Sequence, residues 1–303
     1  MVKYLAPLLI FFPFLSFAQQ VVDPDFTPQH TACYFCQFES SPVVAVDSAH
    51  HNFHTLDGRY KPFAKVLEAD GLTLKNHSKP FSRASLAEID VLVVANALNE
   101  RNTQNWDLPN YPAFTREEVE AVYHWVNNGG SLFLIADHMP WPAAMSDLAE
   151  IFGFGFINGY VEIVNKQEQF FDRQSQSILR SPVTPADGEN VVDVIQGFLG
   201  QGFTIPPQAQ PVLQFTQPSI NWMPSKSWAI EDDTPSQSAI GLYQGAIMEF
   251  GKGKVAVFGE AGMFTAQVVK SDDESWAMGM NSPSAKDNQQ LLLNIVRWLV
   301  STN

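Results

Sequence analysis

Four short, largely apolar runs constrain this chain more than any other feature: Val43–Val46, Val91–Ala95, Leu132–Ala136 and Lys254–Phe258. Each is too short for a helix, lacks polar alternation and is rich in branched aliphatic residues. That is the pattern of a strand buried on both faces. Segments of helical period lie between and after them. Arg59–Asp70 carries Phe63, Val66 and Leu67 on one face and stops at Gly71. Thr115-Arg116-Glu117-Glu118 is a capping box, with Thr at the N-cap and Glu three residues on. It opens a helix through Val119, Val122, Tyr123 and Val126 that ends at Asn128-Gly129-Gly130. Ala143–Phe152 reads as a further helix, and Asn288–Leu299 as the last. The alternation predicts an α/β class, a mostly parallel sheet with helices on both faces. Between about residues 155 and 237 Pro, Gln and Ser rise and short alternating segments replace helices. This stretch is expected to be a β-rich insertion within one domain spanning 42–303. Residues 19–41, polar and Pro-punctuated, read as an extended lead-in.

The N-terminus reads as a signal peptide, residues 1–18. Lys3 supplies the positive region, Leu5–Phe17 the apolar core, and Ser16-Phe17-Ala18 a small-x-small cleavage site before Gln19. The chain is therefore expected to be exported, periplasmic or extracellular, with no membrane association after cleavage. Its two cysteines, Cys33 and Cys36, then read as a local disulfide pair. The net charge of −14 comes with no basic cluster, which argues against nucleic acid as a partner.

The polar residues at the end of each buried run carry the functional reading. The first run leads into Asp47, His50, His51 and His54, the second into Asn96 and Asn99, the third into Asp137-His138, and the last into Glu260. In a parallel sheet these groups share the carboxyl edge, where ligands of such sheets bind. Two chemistries fit. In the first, His50, His54 and a member of the pair Asp137-His138 bind a divalent ion, with zinc as the expected cofactor. The ion lowers the pKa of a bound water to about 7. Asp47 or Glu260 then orients a ligand or takes a proton, and Asn96 donates to the developing oxyanion. His51 points elsewhere than His50 on any regular backbone. In the second, a His with a carboxylate partner works as a metal-free general base. Trp106, Trp141 and Trp276 fall in loops, and loop aromatics beside a polar cleft suit sugars and other flat ligands.

The stretches Asp47-Ser48-Ala49-His50-His51-Asn52-Phe53-His54-Thr55, Ala95-Asn96-Ala97-Leu98-Asn99, Leu134-Ile135-Ala136-Asp137-His138-Met139-Pro140 and Phe258-Gly259-Glu260-Ala261 together resemble an exported branch of the class I glutamine amidotransferase-like superfamily. The resemblance spans most of 42–159 and 241–299 and implies a flavodoxin-like core. It does not carry over glutamine hydrolysis, because Asp137-His138 stands where the nucleophilic Cys would follow the central strand. The expected function is an exported metal-dependent hydrolase acting on a small molecule or glycan. The alternative is a non-catalytic ligand- or carbohydrate-binding domain.

Overall fold

A computed structural model describes residues 19–29, 32–164, 168–271 and 274–301. The expected signal peptide lies outside the described residues.

The four buried runs lie side by side. In the nine-stranded central sheet the order is Thr73–His77, Val43–Asp47, Val91–Ala95, Ser131–Ile135 and Gly253–Phe258, all parallel. Alternate residues serve opposite faces. Val44, Val46, Val91, Val93, Phe133 and Phe258 face the cluster that includes helices Lys61–Ala69 and Asn288–Val300. Ala45, Leu92, Val94, Leu132, Leu134 and Val257 face the cluster over helix Arg116–Asn127. Complete burial on both sides explains why these strands read as unbroken apolar runs.

The flavodoxin-like α/β class, a mostly parallel sheet with helices on both faces, is corrected by this structure. Among the described residues seventeen strands in four sheets stand against five α-helices, two of them only four and five residues long. The molecule is β-rich and its main sheet is mixed. Tyr243–Phe250 runs antiparallel to Gly253–Phe258, and Phe203–Thr204, Gln210–Gln214 and Gly155–Phe156 extend that antiparallel side. The Pro- and Gln-rich stretch thus completes the central sheet as well as building small sheets of its own. The helix expected over 143–152 is broken at Met145 into Trp141–Ala144 and Ser146–Glu150. The lead-in is partly a strand: Gln19–Val22 pairs antiparallel with Ala266–Lys270, which pairs with Ser275–Gly279. No described helix is long and apolar enough to cross a membrane.

A partly buried ion pair ties helix Asn288–Val300 to the end of helix Lys61–Ala69 and to the lead-in. Arg297 Nε and Nη2 donate to both oxygens of Asp70, at 2.9 and 2.6 Å. Asp70 also accepts from the backbone N–H of Tyr34, whose ring lies under the guanidinium. Cys33 and Cys36, bridged to each other, sit beside this knot. Removing one partner of such a pair strands the other's charge. The variant Arg297→Ala should lose about 3 kcal/mol of unfolding free energy in urea, and the double variant Arg297→Met/Asp70→Leu should recover most of it. Equal losses in the two would show that the ion pair does not hold this corner.

Candidate functional site

The carboxyl edge of the parallel strands carries two polar clusters that do different things. The first is a closed clamp. His50 Nδ1 lies 3.0 and 2.9 Å from the two oxygens of Asp47, and its Nε2 lies 2.8 Å from Glu118 Oε1. With a carboxylate at each nitrogen, both must carry hydrogen, so His50 is an imidazolium. Burial works against that charge, but hydrogen bonds and attraction from Asp47 and Glu118 outweigh it and raise the His50 pKa. Glu118 is the glutamate of the capping box. Its other oxygen accepts from the N–H and hydroxyl of Thr115, and Oε1 also accepts from the N–H of Phe81. Asn52 donates to Asp47 at 2.9 Å. His51 is exposed and left-handed, at φ 48°.

The clamp occupies one member of the expected ligand set. Both ring nitrogens of His50 are engaged by carboxylates, so it has no lone pair for an ion and does not meet His54. Among the described residues no group of three or more His, Cys, Asp or Glu side chains is arranged to hold a metal ion. Asp47, expected to assist catalysis, holds the clamp and does not line the neighbouring cavity.

The second cluster is built outward from Asn96. This residue ends its strand in the left-handed region, at φ 50°, a conformation a non-glycine residue adopts at a cost of about 1–3 kcal/mol. The turn aims its amide between two loops. Oδ1 accepts from the N–H of Asp137 at 2.9 Å, and Nδ2 donates to Nδ1 of His54 at 3.1 Å. Asn96 therefore positions its neighbours, and the amide hydrogen expected for an oxyanion is engaged by His54. Because His54 Nδ1 accepts, its proton is on Nε2. Burial, with Arg59 and His138 nearby, lowers the His54 pKa to about 3, so the ring is neutral.

Asp137, His138 and Glu260 complete the cluster. Asp137 accepts from the N–H groups of His138 and Ala261. Glu260 accepts from Gly262 and Met263 N–H at 2.6 and 2.7 Å. A Cβ at Gly262 would lie 2.6 Å from the Glu260 carboxylate, so glycine is what lets this side chain fold back. Burial pushes the pKa of Glu260 well up, and the Asp137 charge adds to it; burial also raises Asp137. Burial and mutual repulsion thus act in the same direction on both carboxyls. Burial lowers the His138 pKa against the pull of Asp137. Its Nδ1–H donates to the carbonyl of Met139 at 2.7 Å, leaving Nε2 as an acceptor with no partner among the described residues.

These groups open onto a cavity of about 1450 Å³ that is walled by aromatics. The His138 ring stacks on Tyr160 at 4.7 Å and meets Trp228 and Trp141 edge-on or tilted at 4.6 and 4.9 Å. Phe53 and Trp106 continue the wall, and Trp276 lines it from the antiparallel sheet. Of the residues named from the sequence, His54, Asp137, His138, Glu260, Trp106, Trp141 and Trp276 reach the cavity. Sequence reasoning missed Glu118, Arg59, Phe53, Tyr160 and Trp228. For Glu118 the signal was present but was explained fully by capping. Tyr160 opens the strand Tyr160–Ile163, and Phe53, Arg59 and Trp228 lie in turns and loops whose course no periodicity predicts.

Comparison with known proteins narrows the fold. No family model matches the chain, and no curated protein matches it. Among solved structures, the mmIFT52 N-terminal domain superposes with a TM-score of 0.57 at 15% identity, covering 86% of this chain and 98% of that one. The two share a fold. A cytoplasmic protein of Salmonella typhimurium gives a TM-score of 0.48 at 14% identity, over 85% of this chain and 98% of that one. A ThuA-like protein of Bacteroides uniformis gives 0.44 at 13% identity, over 88% and 96%. The resemblance to the glutamine amidotransferase-like superfamily is overturned. The fold is one shared with the mmIFT52 N-terminal domain, and the mixed sheet departs from the flavodoxin-like core that the resemblance implied.

The two histidine environments give stability opposite pH slopes. His50, raised in the folded state, stabilises fully below pH 6.5, and that contribution disappears as pH rises through its folded value. His54, lowered to about 3, works the other way: it costs about 1.4 kcal/mol per pH unit as pH falls from 6.5. Urea unfolding of wild type should therefore weaken on both sides of a maximum. The variant His50→Gln should lose the alkaline slope and keep the acid one. An unchanged alkaline slope would contradict the clamp.

Proposed function

We propose that this chain is a hydrolase that works on a small molecule or glycan by acid–base chemistry in the aromatic-walled cavity. The observation that carries the reading is the triad of buried groups lining one cavity: Asp137 and Glu260, whose carboxyls burial pushes up, beside His138, whose Nε2 has no partner among the described residues. Groups pushed apart in proton affinity divide naturally into acid and base. In this reading Glu260 gives a proton to the leaving oxygen, and His138 Nε2 takes a proton from the attacking water. Tyr160 and the Met139 carbonyl hold the imidazole in that tautomer. The Trp walls supply stacking faces for sugar rings.

A binding role without turnover is the second reading. It is favoured by the double N–H grip on Glu260, which holds that carboxyl in place as a cap as well as in a site. Export belongs to the same proposal. The leader-like residues 1–18 and the Cys33–Cys36 bridge both suit an oxidising compartment outside the cytoplasm.

The test is a screen of chromogenic glycosides and esters, repeated with chelator. The variants His138→Asn and Glu260→Gln should each cut kcat by about 10²–10⁴-fold on any substrate found. Chelation should leave the rate unchanged. Loss of activity on chelation, restored by zinc, would contradict metal-free chemistry. Ligand binding by calorimetry with no turnover would select the binding role.

A further inference from the structure

Resting on the reading of this cavity as a small-molecule or glycan site, the donors in its wall say what the ligand carries. Trp141 is 2% exposed, yet its Nε1–H has no hydrogen-bond partner, and the residue lines the cavity. A buried donor of this kind needs an acceptor. His54, fixed by Asn96 as the Nε2–H tautomer, presents a second donor with no partner among the described residues. Arg59 supplies the third and the charge. Its Nη1 donates to the amide oxygens of Gln20 and Gln267, and the guanidinium lies over Phe53 at 4.6 Å. Its Nε and Nη2 make no hydrogen bond among the described residues, and it forms no ion pair with a carboxylate there. All three residues border one side chain: the Phe53 ring centre lies 5.3 Å from that of Trp141 and 5.5 Å from that of His54, beneath the Arg59 guanidinium.

We propose that Arg59, His54 and Trp141 form an oxyanion-binding corner, and that the ligand is a carboxylated sugar or similar polyhydroxy acid. A guanidinium edge matches a carboxylate in a planar, two-bond geometry, and the neutral indole and imidazole N–H groups complete its acceptor positions. The count of charge favours carboxylate over phosphate. One cation faces the site, while four carboxyl residues, Asp137, Glu168, Glu260 and Glu274, also line the cavity and would oppose a dianion. The single negative charge that the ligand brings falls beside Asp137.

The proposal is tested with the purified full chain by calorimetry against matched probes: glucuronate with glucose, galacturonate with galactose, and glucose 6-phosphate. A uronate should bind at least about tenfold more tightly than its neutral partner, as a charge-assisted bidentate contact implies. The variant Arg59→Gln should erase the preference for the acid, and Trp141→Phe should reduce it, with melting temperature and circular dichroism reporting the fold of each. Neutral sugars bound as well as uronates, tighter binding of the phosphate, or a preference that survives in Arg59→Gln would overturn the corner and leave the cavity reading standing. No binding by any probe at millimolar concentration would overturn both.

Discussion

The carboxylate of Glu118 is the contact on which the carboxyl edge depends. It accepts from Thr115, Phe81 and His50, so one side chain fixes a helix start, a connecting loop and the loop that leaves the first strand. Once His50 is held, its carbonyl accepts from Leu98 N–H at 2.8 Å, and Phe53 N–H donates to the Asn96 carbonyl at 3.0 Å. These bonds lock two strand-end loops together and bring Asn96 within reach of both His54 and Asp137. A positive charge enclosed by two carboxylates is costly to bury unless each partner is hydrogen-bonded in turn. Here Asp47 has Asn52 and Glu118 has Thr115 and Phe81, so the cluster is satisfied throughout.

The clamp therefore separates structure from chemistry along a single stretch. Asp47 and His50 organise the edge, while His54, four residues beyond His50, faces the cavity with a neutral ring. The same separation occurs at the other strand ends. Asn96 is a bridge between loops, whereas Asp137-His138 and Glu260 form the wall of the cavity. A strained φ at Asn96 and a glycine at 262 are the local costs of aiming these groups inward.

Much of this was legible in the sequence because burial on two faces writes itself as unbroken apolar runs. The runs ending at Asp47, Asn96 and Asp137 are parallel neighbours, and Thr115 and Glu118 form the capping box their spacing predicts. Class was misjudged: Tyr243–Phe250 forms a local hairpin with Gly253–Phe258, but the strands that extend the antiparallel side beyond it are short and pair at long range. Gly155–Phe156 and Phe203–Thr204 are two-residue strands that no period-two pattern can reveal. The engagement of His50 was hidden for a different reason. Spacing placed His50 and His54 near each other, but ring orientation is decided by partners such as Glu118, 68 residues away. Arg59 and Trp228 reach the cavity through tertiary packing alone, and nothing adjacent in the chain marks them.

His50, His54 and His138, three of the buried histidines at this edge, hold three different proton arrangements, and the division into clamp and site rests on that difference. Long-range ¹⁵N–¹H correlation spectra of the imidazoles at pH 7, assigned with His→Gln variants, measure it directly. His50 should give the paired shifts of an imidazolium, His54 those of a neutral ring protonated at Nε2, and His138 those of a neutral ring protonated at Nδ1. A neutral His50, or a charged His54 or His138, would contradict the division into clamp and site.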